Sequence, residues 1–303
     1  MNELTIIMYH YVRPISQSEY PGIKGLELES FYKQLDYLEE NYSIVSSEEV
    51  IKAITNKKKL APKSCWLTFD DGYKDHFNYV MPELLKRKIS GAFFPPKFPI
   101  ANSQMLDVNS IHYILSNCKS IDKLVTDLND MCHEHGLPKS KIDNYFKEHG
   151  IAGRFDNAPT IYVKRMLQHV LPEDLRRTIT ARLFKSYVGE SENLFAKKLY
   201  MEKNEVAELV KNGMYVGSHG CRHYWLNQIS EEEQRLDISK SLEFLEEVNA
   251  STNNWIMCYP YGAYNKSTLS IVKDLGASVG VTTKTSIADI IKDNPLTLPR
   301  LDT

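Results

Sequence analysis

Cysteine is sparse and shows no pairing pattern. The five residues, Cys65, Cys118, Cys132, Cys221 and Cys258, are odd in number, scattered, and form no C-x-x-C pair. That excludes a disulfide framework and reads as reduced thiols in a reducing compartment. Long apolar runs are also lacking: no stretch approaches the about 20 residues of a membrane-spanning helix. The first residues, MNELTIIMYHYV, hold an acidic residue, no Lys or Arg before a short apolar run, and a break at His10. They make a poor signal peptide, so the expected location is the cytoplasm, with no membrane span. Positive charge is not in excess either. A net charge of −2 gives no general reason to expect nucleic acid or an anionic membrane as partner. Internal repeats and low-complexity tracts are absent. What remains is 303 residues, 42% hydrophobic and 25% charged, enough to bury a large core as one big domain or two smaller ones.

Strand and helix patterns alternate in two parts of the chain. LTIIMYHYV (4–12) reads as a buried strand, and SFYKQLDYLEE (30–40) as an amphipathic helix with Phe31, Leu35 and Leu38 on one face. Ser46-Ser47-Glu48-Glu49 supplies a helix N-cap and an acidic first turn. Residues 65–95 read as β-α-β: strand, Asp-Asp-Gly turn, helix through VMPELLKRK, strand GAFFP. The alternation resumes near residue 203 with EKNEVAELVKNG, MYVGSH, SEEEQRLDISKSLEFLEEVN, WIMCYP, KSTLSIVKDLG and SVGVTT. Such a chain is α/β, doubly wound or barrel. Between the two parts the pattern turns polar and helical. Residues 102–199 are therefore expected to be a helical insertion that caps the active site, with 1–101 and 200–303 forming the α/β domain.

Two stretches carry chemistry. In WLTFDDGYKDHF (66–77) a β-favouring run stops on two adjacent aspartates and a glycine. Adjacent carboxylates repel, and one tends to keep its proton unless a cation lies close. A plain Asp-Gly surface turn is the simple alternative. In VGSHGCRHYWL (216–226), His219 and His223 are i and i+4, and a helical turn there would face both imidazoles the same way. Two histidines and a carboxylate are a normal ligand set for a borderline metal such as zinc, with a position left for water. Both motifs sit where strands end, the side on which α/β folds gather their sites. One aspartate then binds the metal and the other acts as general base on water, with the cation keeping both ionised. Gly72 removes a side chain that would crowd the turn.

Together these residues resemble the polysaccharide deacetylases, the NodB-homology carbohydrate esterases. The family's T-F-D-D-G is present as Thr68 to Gly72, its H-[ST]-x-x-H as His219 to His223 with Gly220 where Ser or Thr is usual, and its Pro-Tyr-Gly loop as Tyr259-Pro260-Tyr261-Gly262. The MYH stretch around His10 is similar to the biofilm poly-N-acetylglucosamine deacetylase type. The resemblance covers about residues 1–100 and 200–303. It implies a deformed (β/α)7 barrel related to the TIM barrel. It implies Asp70 as general base, Asp71, His219 and His223 as ligands of a divalent metal, zinc first, and a backbone N–H near Tyr261 at the oxyanion. Two departures follow. The third motif has no arginine to orient the base, a part that Arg300 in TLPRLD could fill, and no histidine after His223 can act as acid, a part that falls to His10.

The implied activity is removal of an N-acetyl, less readily an O-acetyl, group from a sugar. The partner is then an acetylated sugar, an oligosaccharide, or a nucleotide- or lipid-linked sugar met inside the cell during surface polysaccharide or glycoconjugate synthesis. The rivals are another metal-dependent C–N hydrolase on the same scaffold, acting on a formyl group or small amide, and a non-catalytic carbohydrate-binding relative. Other candidates have a functional and a plainer reading: Cys221 as a fourth ligand or oxidisable thiol against simple packing, His133 and His135 of CHEHG as a metal site against a solvated helix, Asp75 and His76 as outer hydrogen-bond partners of the site against caps of an exposed helix start, and Tyr224 and Trp225 as a sugar-stacking face against packing; the plainer reading is the simpler in each case.

Overall fold

A computed structural model describes residues 3–153 and 156–303. The chain divides into two compact units, Met1–Pro14 with Gly25–Ser103 and Lys197–Thr303, and Ile15–Lys24 with Gln104–Ala196. The helical unit thus takes in Ile15–Lys24, a segment whose sequence pattern had put it with the strands. Among the described residues no helix is long and apolar enough to cross a membrane.

The first unit is a ring of parallel strands. Its members are β1 Glu3–Tyr9, β2 Ser64–Asp70, β3 Ala92–Phe94, β4 Tyr215–Val216, β5 Ile256–Cys258, β6 Val279–Val281 and β7 Leu301–Asp302. β1 pairs β2 from Leu4↔Ser64 to Tyr9↔Phe69, β2 pairs β3, and β3 pairs β4, all parallel. A single parallel bridge, Ser218↔Met257, carries the ring from β4 to β5, which pairs β6. A second bridge, Val281↔Leu298, leads from β6 to the segment before β7, and β7 closes onto β1 through Ile7↔Leu301 and Met8↔Asp302. This is the deformed (β/α)7 barrel expected from the sequence, loosest at its two single-bridge junctions.

The residues explain the ring. β2 is SCWLTFD, buried at every position, as a parallel strand with both faces covered must be. Its alternate residues Cys65, Leu67 and Phe69 face the helices, against Phe31, Leu35, Leu84 and Phe244. Trp66 packs with Leu4, Ile6, Phe94, Ile256 and Val281 inside the ring. With a period of two, Thr68 and Asp70 share the inward face of Trp66. Asp70 is therefore the last inward residue of β2, at the carboxyl end of the strands. Capping boxes begin outer helices, among them Ser46 with Glu49, Ser230 with Glu233, and Asn265 with Thr268.

The second unit is helical, from Asp107–Asn117 through Glu173–Val188. Ile121–Glu134 shows its logic: Leu124, Leu128 and Cys132, four apart, form its buried stripe. His133 and His135 at the end of that helix are exposed, in line with the solvated helix expected.

Candidate active site

Asp70, 2% exposed, receives both arms of the Arg300 guanidinium, Nη1 on Oδ1 at 2.9 Å and Nη2 on Oδ2 at 2.7 Å. Arg300 is itself fixed by Nε donating to the Thr282 carbonyl at 2.9 Å and Nη1 to Thr68 Oγ1 at 3.1 Å. Burial pushes the Asp70 carboxyl up, but the Arg300 charge and hydrogen bonds, with His219 and His10, outweigh it and hold the group at about 2. Arg300, which the sequence offers for the arginine missing from the third motif, stands on the closing segment of the barrel and pairs with Asp70.

The chain turns sharply after β2. Asp71 and Gly72 have φ of 71° and 67°, and a Cβ on Gly72 would lie 2.8 Å from Pro95 Cβ. A left-handed aspartate costs about 1 kcal/mol or more and signals a constrained position. The turn aims Asp71 Oδ1 at two imidazoles, with His219 Nε2 and His223 Nε2 each 3.3 Å away. Its Oδ2 accepts a 2.6 Å hydrogen bond from the Tyr73 hydroxyl. Against the effect of burial, the two histidines hold the Asp71 carboxyl well below its usual range.

This cluster fits a metal ion. Asp71 Oδ1 is buried with no hydrogen-bond partner, despite the two ring nitrogens nearby. Tetrahedral bonds of 2.0–2.1 Å put neighbouring ligand atoms about 3.3 Å apart, which is the separation seen. His219 Nδ1–H donates to the Cys258 carbonyl at 2.7 Å, leaving the Nε2 lone pair directed at the cluster. Asp70, His219 and Cys258 also lie close enough to form a ligand set. There, however, Arg300 engages both Asp70 oxygens and donates to Cys258 Sγ at 3.3 Å. Asp71, His219 and His223 are the set with free electron pairs.

The histidines converge by a route other than the helical turn expected. Residues 219–225 form a bend, with Gly220 at φ 69° and His223 at φ 58°. A Cβ on Gly220 would sit 2.6 Å from Asp237 Oδ2, which is why Ser or Thr is absent there. Cys221 is buried and belongs to neither potential ligand set. Tyr261, at φ 57°, sets its ring edge-to-face on His223 at 4.6 Å and stacks on Trp225 at 4.4 Å. Trp225 thus packs, as expected, but against a residue that touches the cluster.

His10 follows β1. Its Nε2 lies 4.0 Å from Asp70 Oδ2, its Nδ1 3.8 Å from Asp302 Oδ1, and its side chain is 38% exposed. Asp75 and His76 depart from the exposed caps expected: they are 6% and 0% exposed. Asp75 pairs with Arg13 Nε at 2.6 Å, and His76 Nε2–H donates to the His10 carbonyl at 2.8 Å. A chain that leaves β2 by a left-handed turn runs back under β1 and does not project into solvent. Tyr73, which bonds Asp71, and Asp237, which bonds the loop before His223, are residues the sequence does not single out. Only Tyr73, two residues from Asp71, lay close enough to be suspected.

The family model for polysaccharide deacetylases matches residues 144–280. That segment, less than half of the chain, is similar to a polysaccharide deacetylase domain. The match includes His219, His223 and Tyr261. Asp70, Asp71 and Arg300 lie outside it and reach the same site through the barrel. YxkH of Bacillus subtilis (strain 168), named as a polysaccharide deacetylase, is 26% identical over 91 residues, 30% of this chain and 32% of that protein. The match therefore spans about a third of that relative's length. Among solved structures, the fold is similar to the Streptococcus pyogenes deacetylase PplD in complex with acetate, with TM-score 0.61, 21% identity, and 99% and 92% of the two chains covered. It is also similar to IcaB from Ammonifex degensii (TM-score 0.57, 18% identity, 99% and 91% covered). A de-N-acetylase from Aggregatibacter actinomycetemcomitans gives TM-score 0.55 at 16% identity, with 99% and 94% covered. At these identities the likeness establishes the NodB-type fold. The chemistry has to come from the residues.

Proposed function

We propose that the protein is a metal-dependent carbohydrate deacetylase that hydrolyses an N-acetyl group on a sugar. The observation that carries this reading is the pairing of Asp70 with Arg300 beside the Asp71–His219–His223 cluster. One carboxylate has the free lone pair of a ligand, and its neighbour is held ionised by a fixed cation. That division of labour suits a hydrolase better than a binding module, which needs no oriented base.

Asp71 Oδ1, His219 Nε2 and His223 Nε2 would hold a divalent metal, zinc first by donor type, which would supply Lewis acidity toward the acyl oxygen and water. Asp70 takes the proton of the attacking water, and Arg300 fixes the direction from which it does so. The Tyr261 backbone N–H, presented by a left-handed residue beside His223, donates to the developing oxyanion. His10 gives its proton to the departing nitrogen, a step an amine leaving group requires, which favours N-acetyl over O-acetyl. The similar proteins described as a de-N-acetylase and as a deacetylase in complex with acetate support this choice of acyl group.

The test is acetate release from a panel of acetylated sugars, oligosaccharides and nucleotide-linked sugars, with wild type beside Asp70→Asn and metal content read by mass spectrometry. The expected result is acetate from wild type, and a variant that keeps its metal but loses at least about 100-fold in rate. Wild-type protein that takes up no zinc would end the reading. Metal uptake without acetate release would move the assignment to another acyl group, and formylated sugars would be assayed next.

A further inference from the structure

His223 is an unusual ligand candidate in one respect. A metal-binding histidine ordinarily donates its second ring N–H to a carbonyl or carboxylate, which fixes the ring. His219 does so through Cys258. His223 Nδ1, buried, has no hydrogen-bond partner among the described residues. Its backbone is left-handed and its loop is neither helix nor strand. Apart from the Tyr261 ring packed edge-to-face on it, the ring is aimed by whatever holds the loop.

The loop is held by one face of the helix Glu231–Glu247. Asp237, 4% exposed, accepts two successive backbone bonds, from Cys221 N–H on Oδ2 at 2.9 Å and from Arg222 N–H on Oδ1 at 2.8 Å. The preceding amide, Gly220 N–H, donates to Ser218 Oγ at 3.2 Å, and Ser218 is tied to Ser241, one turn beyond Asp237. Three consecutive amides just before His223 thus converge on oxygens set by that helix face. The glycine at 220 leaves room for the carboxylate to approach.

We infer that Asp237 is the positioning residue for the His223 ligand, acting through the backbone of residues 221 and 222 in place of a hydrogen bond to the ring. The inference rests on the metal-hydrolase reading, and it assigns to this carboxylate a share of the metal affinity. Asp237 touches neither substrate nor metal. Its effect is to keep His223 Nε2 within bonding distance of the ion that Asp71 and His219 share.

The experiment measures zinc affinity by competition with a chromophoric chelator, alongside the urea midpoint of the metal-free protein. The variants are Asp237→Asn, which turns a donor toward one amide, and Gly220→Ala, which pushes a Cβ against the same carboxylate while leaving its charge in place. Loss of an outer-shell partner weakens metal binding 10- to 100-fold, and both variants are expected in that range. In a His223→Ala background, Asp237→Asn is expected to cause no further loss, and the visible spectrum of the cobalt(II)-loaded single variant should differ from wild type. Three results would overturn the inference: unchanged zinc affinity, an equal loss with and without His223, or variants that only unfold, since the carboxylate would then hold the fold and not the ligand. Wild type that binds no zinc fails the functional reading itself, a distinct outcome.

Discussion

Removing the Arg300 guanidinium strands a carboxylate. Asp70 is buried and its two oxygens take their bonds from Arg300. Breaking one side of a buried ion pair costs about 3–5 kcal/mol, because the remaining charge is left uncompensated. Arg300→Met is expected to lose that much in urea unfolding with chelator present, and Arg300→Met with Asp70→Asn is expected to recover part of it. If the double variant recovers nothing, the bond from Arg300 to the Thr282 carbonyl matters more than the pair. Arg300→Lys keeps the charge but loses the planar two-armed grip, so activity should fall on the order of 100-fold while stability falls less. Legibility at this scale followed distance along the chain. Arg300 could be nominated because one specific role stood unfilled in the third motif. Asp237 could not, because in SEEEQRLDISK it looks like one more charge on an exposed helix, and only the fold shows that it faces inward.

Elements were legible where a pattern was long enough to have a period. The helices Leu28–Asn41 and Lys266–Asp274 fall where the sequence pattern puts them. The strand at MYVGSH shrank to Tyr215–Val216, and the helical turn expected at His219 to His223 became a bend. In both places the chain is shaped by side-chain oxygens and left-handed residues, which leave no periodic trace. The helical unit offers a test of an element contact. Glu192, at the start of Glu192–Leu199, accepts a hydrogen bond from Ser110 in Asp107–Asn117. Burial, with Asp107 adding to it against the Ser110 bond, pushes the Glu192 carboxyl up to about 7 from a usual 4.5. Between those values the folded chain holds more protons than the unfolded one, so this group's contribution is full below about pH 4.5 and is lost as pH rises through 7. Replacing Glu192 with Gln should therefore raise stability relative to wild type at pH 8, on the order of 1–2 kcal/mol after solvent screening, and change it little at pH 4.5. Urea midpoints at the two pH values decide it, and a difference that does not vary with pH would show that the carboxyl stays ionised.

At the scale of the whole molecule, the barrel was readable because parallel strands buried on both faces leave apolar runs, and those runs alternate with helices. Its closure was not, since two junctions rest on single bridges and the closing strand, Leu301–Asp302, is two residues long. Closure matters because it brings chain-distant residues to one rim. Asp71 leaves β2, His219 and His223 follow β4, and Arg300 arrives with β7. A metal ion bound there cross-links segments that the unfolded chain holds far apart, so it binds the folded state and not the unfolded one. Zinc at 100 times its dissociation constant should then stabilise the fold by about 2.7 kcal/mol. The gain should disappear on chelation and be absent from Asp71→Asn and His219→Ala. Thermal and urea unfolding of wild type, with zinc and with chelator, measure it directly. Identical midpoints in wild type would mean that the three side chains do not hold an ion together. A zinc gain that survives in both variants would mean that the ion binds elsewhere on the chain.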